Sequence, residues 1–194
     1  LELGQLIAGP FASKTLADFG AEVIKVESPK EGDPLRKWRM LHKGTSVWWQ
    51  AQSRNKQSIC LDLRVKEGQA IARQLALEAD VVIENYRKGT MEKLGLSYED
   101  LAKVNPRLIY CEISGYGRSG PLGDEPGYDV MLQAFSGMIS TMGASSGEFA
   151  RASFSPVDMG TGMFGLSGVL AALLERGRTG KGVYLELSLL DTSL

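Results

Sequence analysis

Short apolar runs alternate along this chain with longer amphipathic stretches, and glycine, proline or polar residues separate them. Runs rich in β-branched residues predict strands at residues 21–27, 58–63, 80–84, 107–113 and 183–187, and residues 1–6 have the pattern of a strand's end. Helical spacing predicts helices from a turn at residues 7–11 through Phe19, and over residues 66–78, 90–94, 98–104, 129–142 and 159–175. This alternation predicts an α/β domain built on an open, mostly parallel, doubly wound sheet of the Rossmann-like type.

Residues 28–55 interrupt the alternation. The segment is polar, has no clear periodicity and contains Trp38, Trp48 and Trp49. It is predicted to be a long loop, and such loops inside compact domains tend to be functional or to cover something. The chain begins at Leu1 without methionine and ends at Leu194 inside an apolar run, so we interpret it as a portion of a longer polypeptide.

Charge and composition exclude several classes of function. Lys and Arg number 22 against 23 Asp and Glu, so no broad basic field attracts nucleic acid or an anionic membrane. His42 is the one histidine in the sequence, which excludes metal sites built on several histidines, and no metal site is expected. Cys60 and Cys111 lie in strand-like runs and are predicted to be buried in a reducing compartment. The longest nearly uncharged stretch, residues 159–174, is shorter than the roughly 20 residues of a membrane span, so a cytoplasmic or organelle-matrix location is expected.

Asp158 is the most informative single residue. It is a lone carboxylate in Ser155-Pro-Val-Asp-Met-Gly-Thr-Gly-Met163, just before an apolar helical pattern. At the first turn of a helix the peptide dipole favours the ionised form, and an accessible carboxylate can attack an activated acyl group. On local sequence alone the alternative is that Asp158 only caps the helix.

Two further segments are ambiguous by themselves. Asn85 and Tyr86 follow the strand predicted at residues 80–84, at the carboxyl edge where open α/β sheets bind ligands, but the same residues suit a plain turn. The glycine-rich loop of residues 114–121 either brings backbone amides to a ligand or only permits a tight path. A dinucleotide site is disfavoured, because residues 4–10 lack the G-x-G-x-x-G spacing and place Pro10 at the turn.

Nine segments together resemble the class III coenzyme A transferase family (the CaiB/BaiF type), in family order and over essentially all 194 residues. They are Ala8-Gly-Pro-Phe11, Leu16-Ala-Asp-Phe-Gly-Ala-Glu-Val-Ile-Lys-Val-Glu27, Arg54-Asn-Lys-Gln-Ser58, Asp80-Val-Val-Ile-Glu-Asn-Tyr86, Asn105-Pro-Arg-Leu-Ile109, Ser114-Gly-Tyr-Gly117, Pro126-Gly-Tyr-Asp129, Val157-Asp-Met-Gly-Thr-Gly162 and Arg178-Thr-Gly-Lys-Gly182. Family members are about twice as long. Residues 1–194 therefore resemble the N-terminal half of a family member, which is the N-terminal portion of the large CoA-binding α/β domain, without the second small domain and the C-terminal return.

The resemblance implies an acyl-CoA:carboxylate CoA-transferase in which Asp158 is the nucleophile and forms aspartyl anhydride and aspartyl-CoA thioester intermediates. The amide of Gly160 is expected beside the developing oxyanion, and Tyr128 and Asp129 are expected to line the site. The resemblance also implies that CoA and acyl-CoA are substrates, that no cofactor is permanently bound, and that the partner is an interlocked second copy of the chain. CoA contacts are implied at Ile7, Ala8, Leu61, Arg64, Asn85, Tyr86 and Lys93.

Some positions depart from the pattern of the family. Ile7 stands where some relatives have glutamine, Lys93 where they have arginine, and Ser28 where some have arginine. A family branch of 2-methylacyl-CoA racemases has histidine at the position of Tyr128, and a phenol is a poor proton shuttle at neutral pH. A transferase is therefore favoured over a racemase, and a non-catalytic CoA-binding protein is the third alternative.

Overall fold

The computed structural model describes residues 1–143 and 146–194. Within that part of the chain the strands are β1 (Ile24–Glu27), β2 (Leu41–His42), β3 (Thr45–Ser46), β4 (Gln57–Cys60), β5 (Val81–Glu84), β6 (Ile109–Ser114) and β7 (Val183–Ser188). The helices are α1 (Ala8–Asp18), α2 (Val47–Gln52), α3 (Lys66–Glu78), α4 (Thr90–Leu94), α5 (Tyr98–Ala102), α6 (Asp129–Phe135), α7 (Met138–Thr141), α8 (Pro156–Thr179) and α9 (Leu189–Ser193), with a 3-10 turn at Pro34–Lys37.

The central sheet is parallel, and its first segment lies in the middle. β1 pairs with β4, while β5, β6 and β7 pair in that order. Residues 1–3 join the two groups, because Glu2 N–H donates to Ile24 O at 2.8 Å and Leu3 N–H donates to Ile83 O at 2.9 Å. The order is therefore β4, β1, residues 1–3, β5, β6, β7, which confirms the predicted doubly wound α/β fold.

A hydrophobic cluster covers each face of the sheet. Successive strand residues point to opposite faces, so Val82 and Tyr110 pack with α3 and α5, whereas Ile83 and Cys111 pack with α1 and α8. The predicted burial of Cys111 is thus confirmed. The predicted burial of Cys60 is wrong, because β4 is the edge strand and Cys60 is exposed there.

Three predicted elements differ from the structure. Residues 28–55 are not a featureless loop, since they contain the 3-10 turn, the β2–β3 hairpin and α2. The helix predicted over residues 129–142 is two helices, α6 and α7, because Gly137 between them has φ +86°, outside the right-handed helical region. The helix predicted from residue 159 begins earlier, since Pro156 has a fixed φ and no N–H and suits a first turn.

The helix α8 has 24 residues and a mean hydropathy of 1.5 over its most apolar stretch, so by length and composition alone it qualifies as a membrane span. The helix is longer than the nearly uncharged stretch of residues 159–174, because it begins at Pro156 and ends at Thr179. In the fold it packs against α1, β6 and β7. Core helices of α/β domains meet the same criteria, so this property carries no membrane assignment.

Candidate active site

A cleft of about 850 Å³ opens at the carboxyl edge of the sheet, where residues 1–3 adjoin β5. The strand order reverses at this point, and open α/β sheets bind ligands where it does. The cleft brings together Ile7, Ala8, Asn85, Tyr86, Tyr128, Asp129 and Asp158 from the set predicted by the sequence.

Asn85 links two backbone segments at the floor of the cleft. Its side chain accepts a hydrogen bond from Gln5 N–H at 2.7 Å and donates to Gln5 O at 3.0 Å, so it clamps the two segments that leave the sheet. Gly4 permits this approach, since a Cβ on it would lie 3.0 Å from Asn85 Oδ1. Tyr86 follows Asn85, is half-buried and lines the same cleft.

A buried ion network supports the cleft from below. Lys25 Nζ lies 2.5 Å from Glu2 Oε1 and 2.8 Å from Asp33 Oδ2, and Lys56 Nζ lies 2.7 Å from Glu2 Oε2. The Asp33 carboxylate also accepts from Leu6 N–H at 3.1 Å, where Leu6 has φ +61°. A leucine rarely adopts this conformation, so the network stabilises a strained backbone that lines the cleft.

Helix α1 starts at the cleft with Ile7 as its N-cap residue and Ala8 as its first residue. It packs closely against α8, because Gly162 leaves room there: a Cβ on Gly162 would lie 2.7 Å from Ala8 O. The glycine therefore brings the N-termini of α1 and α8 together, and Asp158 is positioned next to the residues predicted to contact CoA.

Asp158 lies in the first turn of α8, but it does not cap the helix. Ser155 occupies the N-cap position, and the Asp129 carboxylate takes the capping role. Asp129 Oδ2 accepts hydrogen bonds from Val157 N–H at 2.8 Å and from Asp158 N–H at 2.9 Å, and Asp129 Oδ1 accepts from Gln133. The Asp158 carboxylate is thus left without a hydrogen-bond partner among the described residues and faces the cleft.

The charge of Asp158 differs from what the helix dipole alone suggests. Burial, and then the negative charge of Asp129, raise the pKa of Asp158 to about 7, while the positive charge of Arg39 lowers it. The dipole effect is outweighed because the first N–H groups of α8 already donate to Asp129. A carboxyl group with this pKa is ionised in a large fraction of molecules at neutral pH and is a stronger nucleophile than an ordinary aspartate.

Tyr128 and Gly160 differ in their relation to the cleft. Tyr128 is 56% exposed, lines the cleft and immediately precedes α6. Gly160 does not line it: it is the fifth residue of α8, so its N–H belongs to the helix and is not free for an oxyanion. A Cβ on Gly160 would lie 2.9 Å from Thr192 Cγ2, so this glycine serves the approach of α9.

Leu61, Arg64 and Lys93 lie outside the cleft. Leu61 follows β4, at the same carboxyl edge but two strands from residues 1–3, which corresponds to about 10 Å. Arg64 is exposed and pairs with Asp62 through two hydrogen bonds of 2.8 Å. Lys93 is exposed in the last turn of α4. Their predicted contacts with CoA are therefore separate from those at the floor of the cleft.

An acidic row anchored by Arg118 was not foreseen from the sequence. Glu84, Glu112 and Glu186 lie side by side in register on β5, β6 and β7. The guanidinium of Arg118, in the glycine-rich loop, pairs with the Glu112 carboxylate, and its Nη2 lies 3.5 Å from Glu84 Oε1. The backbone N–H of Arg118 donates to Glu186 Oε1 at 2.6 Å. Burial raises the pKa of Glu84 to about 7. A glutamate at or near the end of each of these strands was the available signal, but only the register of the sheet brings the three side by side.

The glycine-rich loop has a structural reason for its glycines. Gly117 and Gly120 have φ of +86° and +85°, which L-residues rarely adopt. A Cβ on Gly115 would lie 2.6 Å from Gly127 Cα, so these two glycines let the loop approach the segment before Tyr128. Within residues 1–143 and 146–194, no three His, Cys, Asp or Glu side chains are grouped as metal ligands.

Comparison with known proteins gives a consistent result. The succinyl-CoA:glutarate CoA-transferase of Mus musculus is 40% identical over 195 residues, covering 100% of this chain and 45% of that protein. The succinyl-CoA–D-citramalate CoA-transferase of Chloroflexus aurantiacus is 43% identical over 192 residues, covering 98% of this chain and 48% of that protein. The chain thus spans about half the length of the curated relatives it matches.

Solved structures agree with these matches. The crystal structure of a CAIB/BAIF family protein from Brucella suis superposes with a TM-score of 0.94 at 41% identity, over 99% of this chain and 52% of that one. The sequence model of the protein family described as CoA-transferase family III matches residues 1–194 of this chain. The resemblance expected from the sequence motifs is confirmed, and this chain belongs to the family III CoA-transferases.

Proposed function

We propose that the chain is the N-terminal portion of an acyl-CoA:carboxylate CoA-transferase and that Asp158 is its nucleophile. One observation carries the assignment: the Asp158 carboxylate faces the cleft at the switch point of the sheet, while Asp129 accepts the helix N–H groups that would otherwise hold Asp158. A raised pKa and free access suit covalent attack on a thioester. The names of the relatives, which are CoA-transferases, support this reaction class.

We propose that CoA enters the cleft along Ile7, Ala8, Asn85 and Tyr86, with its acyl end at Asp158. The N-terminus of α1 presents backbone N–H groups there, and Asn85 fixes their position through Gln5. Leu61, Arg64 and Lys93 would contact more distant parts of the same long molecule, since Leu61 follows β4 at the same sheet edge and the other two side chains are exposed cations. No permanently bound cofactor is part of the proposal.

The proposed reaction proceeds in two halves. The Asp158 carboxylate attacks the carbonyl carbon of the donor thioester, the C–S bond breaks, and CoA leaves as a thiolate. The thiolate then attacks the Asp158 carbonyl of the resulting anhydride, releasing the donor acid and leaving an aspartyl-CoA thioester. The acceptor carboxylate reverses both steps and leaves as the new thioester, so Asp158 is regenerated and no external oxidant or base is consumed.

We also propose that a second copy and the remainder of the polypeptide cover the outer faces of α6 and α8. Exposed apolar side chains on those helices support this proposal, because soluble monomers rarely leave so many on one side. They are Phe135, Met163, Phe164, Leu170 and Leu174.

The nucleophile is tested with Asp158→Asn in the full-length protein. Transfer of CoA from succinyl-CoA to glutarate is expected to fall by at least about 1,000-fold, because an amide does not attack a thioester. Affinity for CoA, measured by calorimetry, is expected to change little. Asp124→Asn is the matched control, since Asp124 lines the same cleft and pairs with Lys88. Substantial turnover in Asp158→Asn would refute the assignment.

The same proteins distinguish the alternatives. Wild-type protein incubated with acyl-CoA and then hydroxylamine is expected to carry a hydroxamate at Asp158, and a non-catalytic CoA-binding protein would carry none. No deuterium is expected at the α-carbon of a 2-methylacyl-CoA in deuterated water, because Tyr128 stands at the racemase histidine position. Incorporation as fast as transfer would favour the racemase.

A further inference from the structure

Arg39 has an unusual setting at the mouth of the cleft. Its guanidinium carbon lies 5.1 Å from the centre of the Trp38 ring and 4.8 Å from that of Trp48, so two indoles flank it. Its Nη1 donates to Ser153 O at 3.1 Å. The backbone of Arg39 has φ +57°, in the left-handed region that residues other than glycine adopt only at an energetic cost. The fold therefore holds this side chain in a defined place.

Arg39 forms no salt bridge in the described part of the chain, where no carboxylate oxygen lies within 4.0 Å of its guanidinium. Arg36, three residues earlier, makes the contrast clear. It also stacks on an indole, with its guanidinium carbon 3.9 Å from the Trp49 ring centre, but it is bound to Glu27 by hydrogen bonds of 2.7 and 2.8 Å. A guanidinium has five N–H donors, so Arg39 keeps most of its donors available.

Arg39 and Asp158 line the same cleft. Ser153, to which Arg39 donates, lies five residues before Asp158, so the guanidinium is tied to the segment that leads into α8. Its positive charge acts on the Asp158 carboxyl and lowers the pKa of that group. A free guanidinium thus faces the same space as the carboxylate that is proposed to react.

We propose that Arg39 binds the distal carboxylate of a short dicarboxylic acid while the other carboxyl group reacts at Asp158. This inference rests on the proposed CoA-transfer function and adds the substrate class. The planar fork of arginine matches a carboxylate in two parallel hydrogen bonds, and the two neighbouring indoles limit the positions that the guanidinium can take. Arg39 therefore selects dicarboxylic over monocarboxylic acids.

The test compares glutarate with pentanoate, which has the same number of carbons and lacks the distal carboxylate. The kcat/KM of each acceptor is measured with one acyl-CoA donor on full-length wild type and Arg39→Met. A lost charge-assisted contact predicts a fall of about 10- to 100-fold for glutarate and less than about 3-fold for pentanoate. Arg39→Lys is expected to recover part of the preference, because the charge remains without the fork.

Arg151→Met is the control, since Arg151 also lines the cleft but no tryptophan ring among the described residues stacks on it, and the variant should leave the ratio of kcat/KM for the two acceptors unchanged. Equal falls for glutarate and pentanoate in Arg39→Met would assign Arg39 a packing role and overturn the inference. A weaker Kd for CoA with an unchanged ratio would make it a phosphate contact instead. A wild type that transfers CoA equally well to both acceptors would refute the inference alone, whereas a wild type without transfer would remove the proposed function as well.

Discussion

Replacing Asp129 by asparagine removes one charge from the candidate site with little change in shape. The Asp129 side chain is 8% exposed and its Oδ2 accepts from the N–H groups of Val157 and Asp158 at 2.8 and 2.9 Å. Asparagine keeps a carbonyl oxygen for these donors. It removes the negative charge which, after burial, is the main cause that raises the pKa of Asp158 to about 7.

The size of the effect follows from the distance between the two carboxyl groups. Two neighbouring unit charges at about 4 Å interact by about 4 kcal/mol at an effective dielectric constant of about 20, and greater separation and the solvent of an open cleft weaken this. A decrease of about one unit in the pKa of Asp158, equivalent to about 1.4 kcal/mol, is therefore expected. Loss of the charged cap costs about 1 kcal/mol of folding stability in addition.

The assay is the pH dependence of kcat/KM for the acyl-CoA. Attack requires the ionised form of Asp158, so activity should rise with pH through about 7 in the wild type. In Asp129→Asn the lower pKa leaves more of Asp158 ionised below neutrality. The acidic limb of the pH profile, where kcat/KM rises with pH, should therefore move to lower pH by about one unit. Asp124→Asn is the control: its side chain is 86% exposed and pairs with Lys88, and its limb should stay in place.

An acidic limb that does not move, or that moves to higher pH, in a folded Asp129→Asn protein would show that Asp129 does not set the charge of Asp158. Arg39→Met provides a check of opposite sign. Because the charge of Arg39 lowers the pKa of Asp158, its removal should move the acidic limb to higher pH.

Two further predictions concern stability, both measured by urea unfolding. Gly162→Ala should destabilise the protein by about 1–3 kcal/mol, since the new Cβ would lie 2.7 Å from Ala8 O. In Gly177→Ala, in the same helix, the new Cβ would meet none of the described atoms within 4 Å, and the protein should be stabilised by up to about 1 kcal/mol. Stability changes of the same sign in the two variants would contradict this account of α1–α8 packing. Burial raises the pKa of Glu84 from 4.5 to about 7, so its ionisation costs stability as the pH rises between those values. The free energy of unfolding of Glu84→Gln, relative to that of the wild type, should therefore increase by about 2–3 kcal/mol as the pH rises from 4 to 8. A difference between the two proteins that does not grow with pH would contradict this prediction.

Much of the fold was encoded locally. The helices at Lys66–Glu78 and Thr90–Leu94 begin and end where the spacing of apolar residues predicts, and the five predicted strands lie within three residues of their predicted bounds. The alternation of these elements was enough to predict the doubly wound sheet, because short connections and right-handed crossovers leave few other topologies. Asp158 stood out in the sequence as a lone carboxylate just before an apolar helical pattern, but its neighbourhood alone left open that it only caps the helix.

The chemistry around Asp158 was decided by tertiary structure. Asp129 and Asp158 are 29 residues apart, and no local pattern shows that one caps the helix of the other and raises its pKa. The same is true of Arg39, whose free charge depends on which carboxylates fold close to it, and of Gly160, whose amide is internal only because α8 begins at Pro156. Periodicity is a property of neighbouring residues, so sequence determines where helices and strands form. Charge, access and pKa depend on the distances between residues far apart in the chain, which only the folded structure sets.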